Sequence, residues 1–257
     1  MKKIAFFCLI FLFSLSAAFA AQSRETLTLA AAGVQSLHIE CGAGSLKVQG
    51  KGDLEQIEVD AVLVVNGIAE SEVPGFKKEY VTLTLKKSGE RAVLTASIES
   101  AFSLATLFGE GHHARIDLDV RLPRRLALAV ADGSGDCEIR DNDSGLTLED
   151  GSGDTRLTNI KGTVKIEDGS GDLYLEDIGG NVEIEDGSGD IMLRACGGDV
   201  YVNDGSGQTE LHDIRGSVRI DDGSGDIVID GVEKDVTIDE AGSGAVEIRN
   251  VKGKVRK

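Results

Sequence analysis

The chain has 257 residues, a formal net charge of −17, 33 glycines, two prolines, no tryptophan and only 4% aromatic residues. A surface this acidic repels nucleic acid and anionic lipid head groups, and it favours solubility and cations.

Residues 1–20 have a basic start at Lys2 and Lys3, an apolar run from Ile4 to Leu15, and small residues at Ala18 and Ala20 around Phe19. That order reads as a secretory signal peptide, and the run is shorter than the roughly 20 residues that span a bilayer as a helix. No later apolar run is long enough to span either, so no membrane span is expected after cleavage. Cys8 lacks the small residues that precede a lipid-modified cysteine.

Residues 21–131 alternate apolar and polar positions in several short segments: Leu37 to Glu40, Ser45 to Gln49, Ile57 to Val65, Tyr80 to Lys86, Ala92 to Ile98, Ala114 to Arg121 and Leu126 to Ala131. This is strand grammar without a fixed period. Gly42 to Gly50 resembles a worn copy of a motif that recurs later. Two excursions interrupt the strands, Asn66 to Glu79 and Ser100 to His113; the second is expected to be a flap or short helix over the side or N-terminal end of the stack. The segment as a whole is expected to form irregular coils that begin a β-helix.

From residue 132 to 257 the pattern becomes strict. Asp-Gly-Ser-Gly-Asp starts at Asp132, Asp150, Asp168, Asp186, Asp204 (with Gln208 in place of the last Asp) and Asp222, a step of 18 residues, and Gly242 to Gly244 follows one residue late. A fixed step means one supersecondary unit stacked on copies of itself. Each unit contains two turns and two apolar-polar-apolar triplets, so alternate residues define inward columns. One column runs Cys137, Thr155, Leu173, Ile191, Thr209, Ile227, Val246; the next runs Ile139, Leu157, Leu175, Leu193, Leu211, Ile229, Ile248. The second triplet contributes Leu146, Val164, Val182, Val200, Val218, Val236, Val255 and Leu148, Ile166, Ile184, Val202, Ile220, Ile238. A fifth column, Ile160, Ile178, Cys196, Ile214, Val232, Val251, has Asn142 as its polar exception. Identical turns with identical columns require in-register parallel stacking at ~4.8 Å, which gives an all-β, single-stranded parallel β-helix. The general preference for right-handed crossovers makes it right-handed, although an 18-residue period also occurs in left-handed helices.

The strand-Leu-Pro-strand segment from Arg115 to Ile139, RIDLDVRLPRRLALAVADGSGDCEI, and the train of GSGD units after it resemble the bacterial putative-adhesin family of β-helix domains of unknown function. The resemblance implies a β-helix at the cell envelope and supplies no catalytic or ligand residues.

The candidate chemistry lies in two aspartate ladders, Asp132, Asp150, Asp168, Asp186, Asp204, Asp222 and Asp136, Asp154, Asp172, Asp190, Gln208, Asp226. Unit charges one coil apart repel by about 0.9 kcal/mol even in water, so something must offset the repulsion. Backbone N–H groups in the glycine turns could do so. Calcium is the second candidate, but the ligand position of the nonapeptide β-roll is occupied here by the inward column that starts at Cys137. Outward residues Glu138, Arg156, Tyr174, Met192, Glu210, Val228 and Glu247 form no basic cluster. A repeated ladder also supplies no unique carboxylate pair with split environments, which acid/base catalysis needs. The cysteines after residue 20, Cys41, Cys137 and Cys196, read as small apolar residues; Cys137 and Cys196 sit roughly 14 Å apart by the ladder spacing, too far for a disulfide. Adjacent His112 and His113 point in different directions and make no metal site.

The sequence therefore predicts an exported, non-enzymatic β-helix, with no cofactor and no catalytic or metal site, that presents a rigid acidic surface for binding or structural use at the envelope, its partner an unknown protein or glycan. Two alternatives stand beside it. One is a scaffold that self-assembles end to end, drawn from the basic tip of Arg249, Lys252, Lys254, Arg256 and Lys257; the other is a divalent-cation module using the Asp ladders.

Overall fold

The computed structural model describes residues 20–99 and 113–257. The signal-peptide reading therefore falls outside the described residues but for Ala20, as does the Ser100 to His113 excursion but for its last residue.

From Cys137 the chain alternates between two sheets, with one strand in each per coil. In sheet A the strands are β9 (Cys137–Asn142), β11 (Thr155–Ile160), β13 (Leu173–Ile178), β15 (Ile191–Cys196), β17 (Thr209–Ile214), β19 (Ile227–Val232) and β21 (Val246–Val251). In sheet B they are β10 (Leu146–Asp150), β12 (Val164–Asp168), β14 (Val182–Asp186), β16 (Val200–Asp204), β18 (Val218–Asp222), β20 (Val236–Ala241) and β22 (Val255–Arg256). Every neighbouring pair is parallel and in register, so that Leu173 lies between Thr155 and Ile191, and Ile184 between Ile166 and Val202. The parallel β-helix expected from the period is the observed fold. The inward columns are buried from Cys137 to Ile238, whereas in the final coil Val246, Ile248 and Val251 are half-buried and Val255 is 46% exposed.

Each sheet A strand bends at its fifth residue, where Asp141, Asn159, Asp177, Ala195, Asp213 and Asn250 have φ between 53° and 62° and Gly231 has φ 81°. Asn, Asp and Gly tolerate this left-handed conformation, so the bend is written into the sequence column; Ala195 is its one strained member. The bend turns the next residue inward, which buries Ile160, Ile178, Cys196, Ile214 and Val232. Asn142, the polar exception, donates from Nδ2 to the Leu126 carbonyl at 2.9 Å and accepts the Ser144 N–H at 2.7 Å, so its burial leaves nothing unpaired.

Before Cys137 the arrangement departs from a serial run of coils. β2 (Ser36–Ala43) and β3 (Leu46–Lys51) carry the worn motif, and it sits where a true copy would: Cys41 opposes Asp132, and Leu46 opposes Cys137. The half-coil that follows β3 in space is β8 (Ala127–Ser134), which the chain reaches only after a long insertion. Within that insertion, β4 (Gln56–Val65) pairs antiparallel with β1 (Ala21–Ala30) and with β7 (Ala114–Pro123), while β5 (Val81–Ser88) pairs antiparallel with β6 (Arg91–Ile98). The expectation of further coils through this segment is met only by β2, β3, β6, β7 and β8, which add to the parallel ladders. Antiparallel partners at this end are strands of 8–10 residues without the Gly-Ser-Gly turn, and such strands do not template another 18-residue coil.

The first excursion, Asn66 to Glu79, contains a 3₁₀ turn, Glu70–Glu72, and helix α1 (Val73–Tyr80). The Glu72 carboxylate accepts the Ala69 N–H at 2.8 Å, and Pro74 occupies the first turn, where its missing N–H costs nothing. α1 buries Val73 and Phe76 in the common core, and Lys77 pairs with Glu25 of β1. Because β1 and β5 are the last strands of their sheets, α1 covers the core at this end.

Two predictions test this architecture. Gly189 has φ 147° and lies so close to the coil below that a Cβ would overlap the Gly171 carbonyl oxygen, whereas a Cβ at Gly75 in α1 meets nothing within 4 Å. Gly189→Ala should lower the unfolding free energy by about 3 kcal/mol, and Gly75→Ala should raise it by up to ~1 kcal/mol, both measured by urea denaturation. Ala195→Asn should add ~1 kcal/mol by relieving the left-handed strain; an unchanged or lower denaturation midpoint would remove the bend column as an explanation.

Candidate functional site: two aspartate ladders and two outer faces

The ladders differ in kind. The first lies inside the molecule: Asp132, Asp150, Asp168, Asp186, Asp204 and Asp222 are between 0% and 7% exposed. Each ends the alternation of its sheet B strand, so that Leu146, Leu148 and Asp150 point the same way, as do Val182, Ile184 and Asp186. Their first oxygens accept turn N–H groups two residues on: Ser152 to Asp150 at 3.2 Å, Ser188 to Asp186 at 3.1 Å, and Ser206 to Asp204 at 2.9 Å. Turn hydrogen bonding, the local offset expected from the sequence, is thus present.

The second oxygens divide the column. Thr155 Oγ1 donates to Asp150 Oδ2 at 3.1 Å and Thr209 Oγ1 to Asp204 Oδ2 at 3.4 Å. Where the residue five positions after the Asp is Cys137, Leu173, Ile191 or Ile227, there is no hydroxyl, and Oδ2 of Asp132, Asp168, Asp186 and Asp222 is buried without a partner. Burial is the main cause of the raised carboxyl pKa values, with the neighbouring Asp charges next for three of them. Asp132 and Asp168 are pushed up to about 6 from the ordinary 3.8, each with Asp150 as the second contributor, and Asp186, between Asp168 and Asp204, up to about 7. Asp204 also lies at about 6, and Asp150 and Asp222 are raised. At the N-terminal end of the column the Cys41 thiol lies 3.5 Å from Asp132 Oδ1, and burial raises it too.

The second ladder is exposed and acts as a clip between coils. Asp154 Oδ1 accepts the N–H of Asp172 at 3.1 Å, Asp172 that of Asp190 at 3.0 Å, and Asp190 that of Gln208 at 2.9 Å. Asn181 and Asp199 do the same at the opposite corner, toward Asp199 and Ser217 at 2.9 and 2.8 Å. The two ladders bring together no group of three or more His, Cys, Asp or Glu that could hold a metal ion among the described residues. Cys41, Cys137 and Cys196 are free thiols, the latter two buried. His112 lies outside the described residues.

The outer faces carry the remaining chemistry. On sheet A the Arg156 guanidinium lies over the Tyr174 ring, 4.1 Å from its centroid. On sheet B the outward row includes Lys165, Glu183, Tyr201 and Arg219. Lys165 pairs with Glu183 at 3.4 Å and Arg219 stands 6.0 Å from the Tyr201 centroid. A shallow open groove runs along the stack beside this row, lined by Lys165, Asn181, Asp199, Tyr201, Ser217 and Arg219 among others.

Thr155→Val, which keeps shape and removes the hydroxyl, leaves Asp150 with an orphaned oxygen; it should cost about 1–3 kcal/mol at neutral pH by urea denaturation and less in mild acid. An equal loss at every pH would mean that the threonine serves packing alone.

No protein-family model and no curated protein matches the sequence. Solved structures do match in fold. A putative adhesin from Parabacteroides distasonis superposes with a TM-score of 0.50 at 12% identity, over 91% of this chain and 96% of that one. A putative lipid binding protein from the same organism gives 0.49 at 12% identity over the same shares, and a putative adhesin from Bacteroides fragilis gives 0.41 at 14%. The chain therefore shares its β-helix fold with a solved structure bearing the name of the family that its Arg115 to Ile139 segment and GSGD units resemble.

Proposed function

We propose that this protein is an exported, non-enzymatic binding module of the bacterial cell envelope, adhesin-like in function, which presents the groove on sheet B to an extended glycan. The observation that carries the reading is the groove itself. It follows the stack axis across several coils and combines the Tyr201 ring with the amide, hydroxyl and charged groups of Asn181, Ser217, Lys165 and Arg219. An aromatic face flanked by fixed polar groups suits sugar rings, which pair apolar C–H faces with hydroxyl edges. The parallel ladders hold these groups at a constant spacing without a ligand, so binding orders few side chains. Further support comes from the leader-like residues 1–20 and from the name of the Parabacteroides distasonis protein that shares the fold. Hydrogen bonds to Glu167 and Glu183 raise the Lys165 pKa, a hydrogen bond to Asp239 raises that of Arg219, and the Ser217 N–H lowers that of Asp199, so these groove groups are held charged and offer recognition rather than an acid/base pair.

Fractionation of cells expressing the full chain should recover it outside the cytoplasm with residues 1–20 removed. Glycan-array binding should fall about tenfold or more for Tyr201→Ala and for Arg219→Glu, with the circular dichroism spectrum unchanged. Cytoplasmic retention of the intact chain would sink the export reading; array signals unaffected by either variant would move the site elsewhere. Sedimentation velocity on the same material separates ligand binding from end-to-end self-assembly.

A further inference from the structure

The buried column is built like a site for something smaller than a metal ion. Six carboxyl groups follow one another at the coil spacing, and they carry only two hydroxyl donors. The donors are placed regularly: Asp150 lies between Asp132 and Asp168, and Asp204 between Asp186 and Asp222, so each anchored carboxylate has an orphan one coil above and one below. Around the orphans the space that a hydroxyl would fill is occupied by Leu173, Ile191 and Ile227, all buried and in contact with the continuous core. Such surroundings leave no room for a hydrated cation, and a bare cation would need more oxygen ligands than the column gathers. An Oδ2 that is buried among apolar side chains and has no protein partner is better accommodated as O–H than as O⁻.

We propose that the buried Asp column is a proton-binding site: Asp132, Asp168, Asp186 and Asp222, whose second oxygens have no partner, take up protons from solvent in the folded protein, on either side of the threonine-anchored Asp150 and Asp204, so that mild acid stabilises the fold. Each uptake forms one Oδ2–H bond, takes its proton from buffer and cancels one negative charge in a stack of like charges. The groups that act on the column are themselves acids or thiols. Cys41 and Cys137 stand at the Asp132 end, Asp190 acts on Asp204, and Asp221 acts on Asp222. Among the described residues, none of the groups acting on the column is a cation that would hold it ionised.

The sign of the effect follows from linkage. Asp132 and Asp168 are raised to about 6 and Asp186 to about 7 from the ordinary 3.8, and burial raises Asp222 in the same direction, so between those limits the folded state binds more protons. Stability therefore rises as pH falls from about 8 toward 5, by up to about tenfold in the folding constant per pH unit for each proton taken up. Carboxylates held below their ordinary values act in the opposite sense at lower pH: Glu58 by hydrogen bonds from Gln56 and then Arg121, Asp60 by those from Thr26 and then Arg121, Asp141 by that from Asn159, and Asp199 by that from the Ser217 N–H. Stability should turn down again below about pH 4.

The test is thermal unfolding of the full-length chain in EDTA at pH 8, 7, 6 and 5. The midpoint should climb by several degrees on acidification. The double variant Asp168→Asn with Asp186→Asn should start higher at pH 8 and lose much of that slope, whereas Asp154→Asn with Asp172→Asn, on the exposed ladder, should keep it. If the buried double variant fails to fold, Leu173→Thr supplies Asp168 with the hydroxyl that Asp150 and Asp204 already have, and it should flatten the profile in the same direction. Carboxyl-carbon NMR titration of the wild type should place at least two Asp groups above pH 5.5. A midpoint that is flat or falls from pH 8 to pH 5 overturns the proposal, as does ordinary titration of every Asp. A rise with millimolar calcium at pH 8 that the buried Asn variants abolish would also overturn it, and would assign the column to a cation.

Discussion

Register dominates this molecule. In a parallel ladder with an 18-residue step every side chain stacks on its own counterpart, so each position in the unit is a commitment repeated along the whole stack. For Leu, Ile and Val the repetition is favourable: identical branched side chains bury one another in a continuous core, at roughly 25 cal/mol for each Å² removed from water. For the Gly-Ser-Gly turn it is a steric constraint, since each glycine lies against the carbonyl of the glycine one coil below and leaves no space for a Cβ. For Asp it is unfavourable, because like charges are stacked in a low-dielectric interior. The fold accepts that cost where the same carboxylate closes the turn by accepting the serine N–H.

The same register would carry on indefinitely unless something stopped it. At the N-terminal end the chain changes strand direction: β1 and β4 run antiparallel to their neighbours, β5 runs antiparallel to β6, and α1 lays Val73 and Phe76 over the exposed core. Arg121 joins β7 to β4 through Glu58 at 3.1 Å and Asp60 at 2.8 Å, which fixes the antiparallel register on the outer face. In the coil from Val246 the inward residues are half-exposed or exposed, with the charged Arg249, Lys252 and Lys254 in the same coil.

Rigid stacking also shapes what the molecule can do. A column of outward residues at constant spacing forms an extended recognition surface, and a column of inward acids at the same spacing forms a chain of interacting titrating groups. Both arise from one backbone geometry, and the two are physically separate. The groove residues face solvent on sheet B, whereas the Asp column lies under the Gly-Ser-Gly turns. A proton taken up in the interior, as proposed, would alter the stability of the platform without entering the groove on sheet B.

The 18-residue step and the aliphatic columns were enough, by themselves, to determine the parallel β-helix, because only in-register stacking reconciles identical turns with identical inward positions. The worn copy at Gly42 to Gly50 was legible for the same reason. The burial of Asp150 and its counterparts was also within reach, since alternation from Leu146 and Leu148 leads directly to it, but the glycine after it reads as turn and conceals the last inward position. The column Asp141, Asn159, Asp177, Asp213, Gly231, Asn250 carried a readable signal for left-handed backbone. Tertiary structure alone decided that β3 is completed by β8 across a long insertion, that β4 and β5 run antiparallel, and that α1 lays Val73 and Phe76 over the core. Those choices depend on contacts between residues far apart in sequence, and no local period records them. It alone also decided which aspartates have a partner, because that depends on Thr155 or Thr209 reaching across the turn into the same small volume.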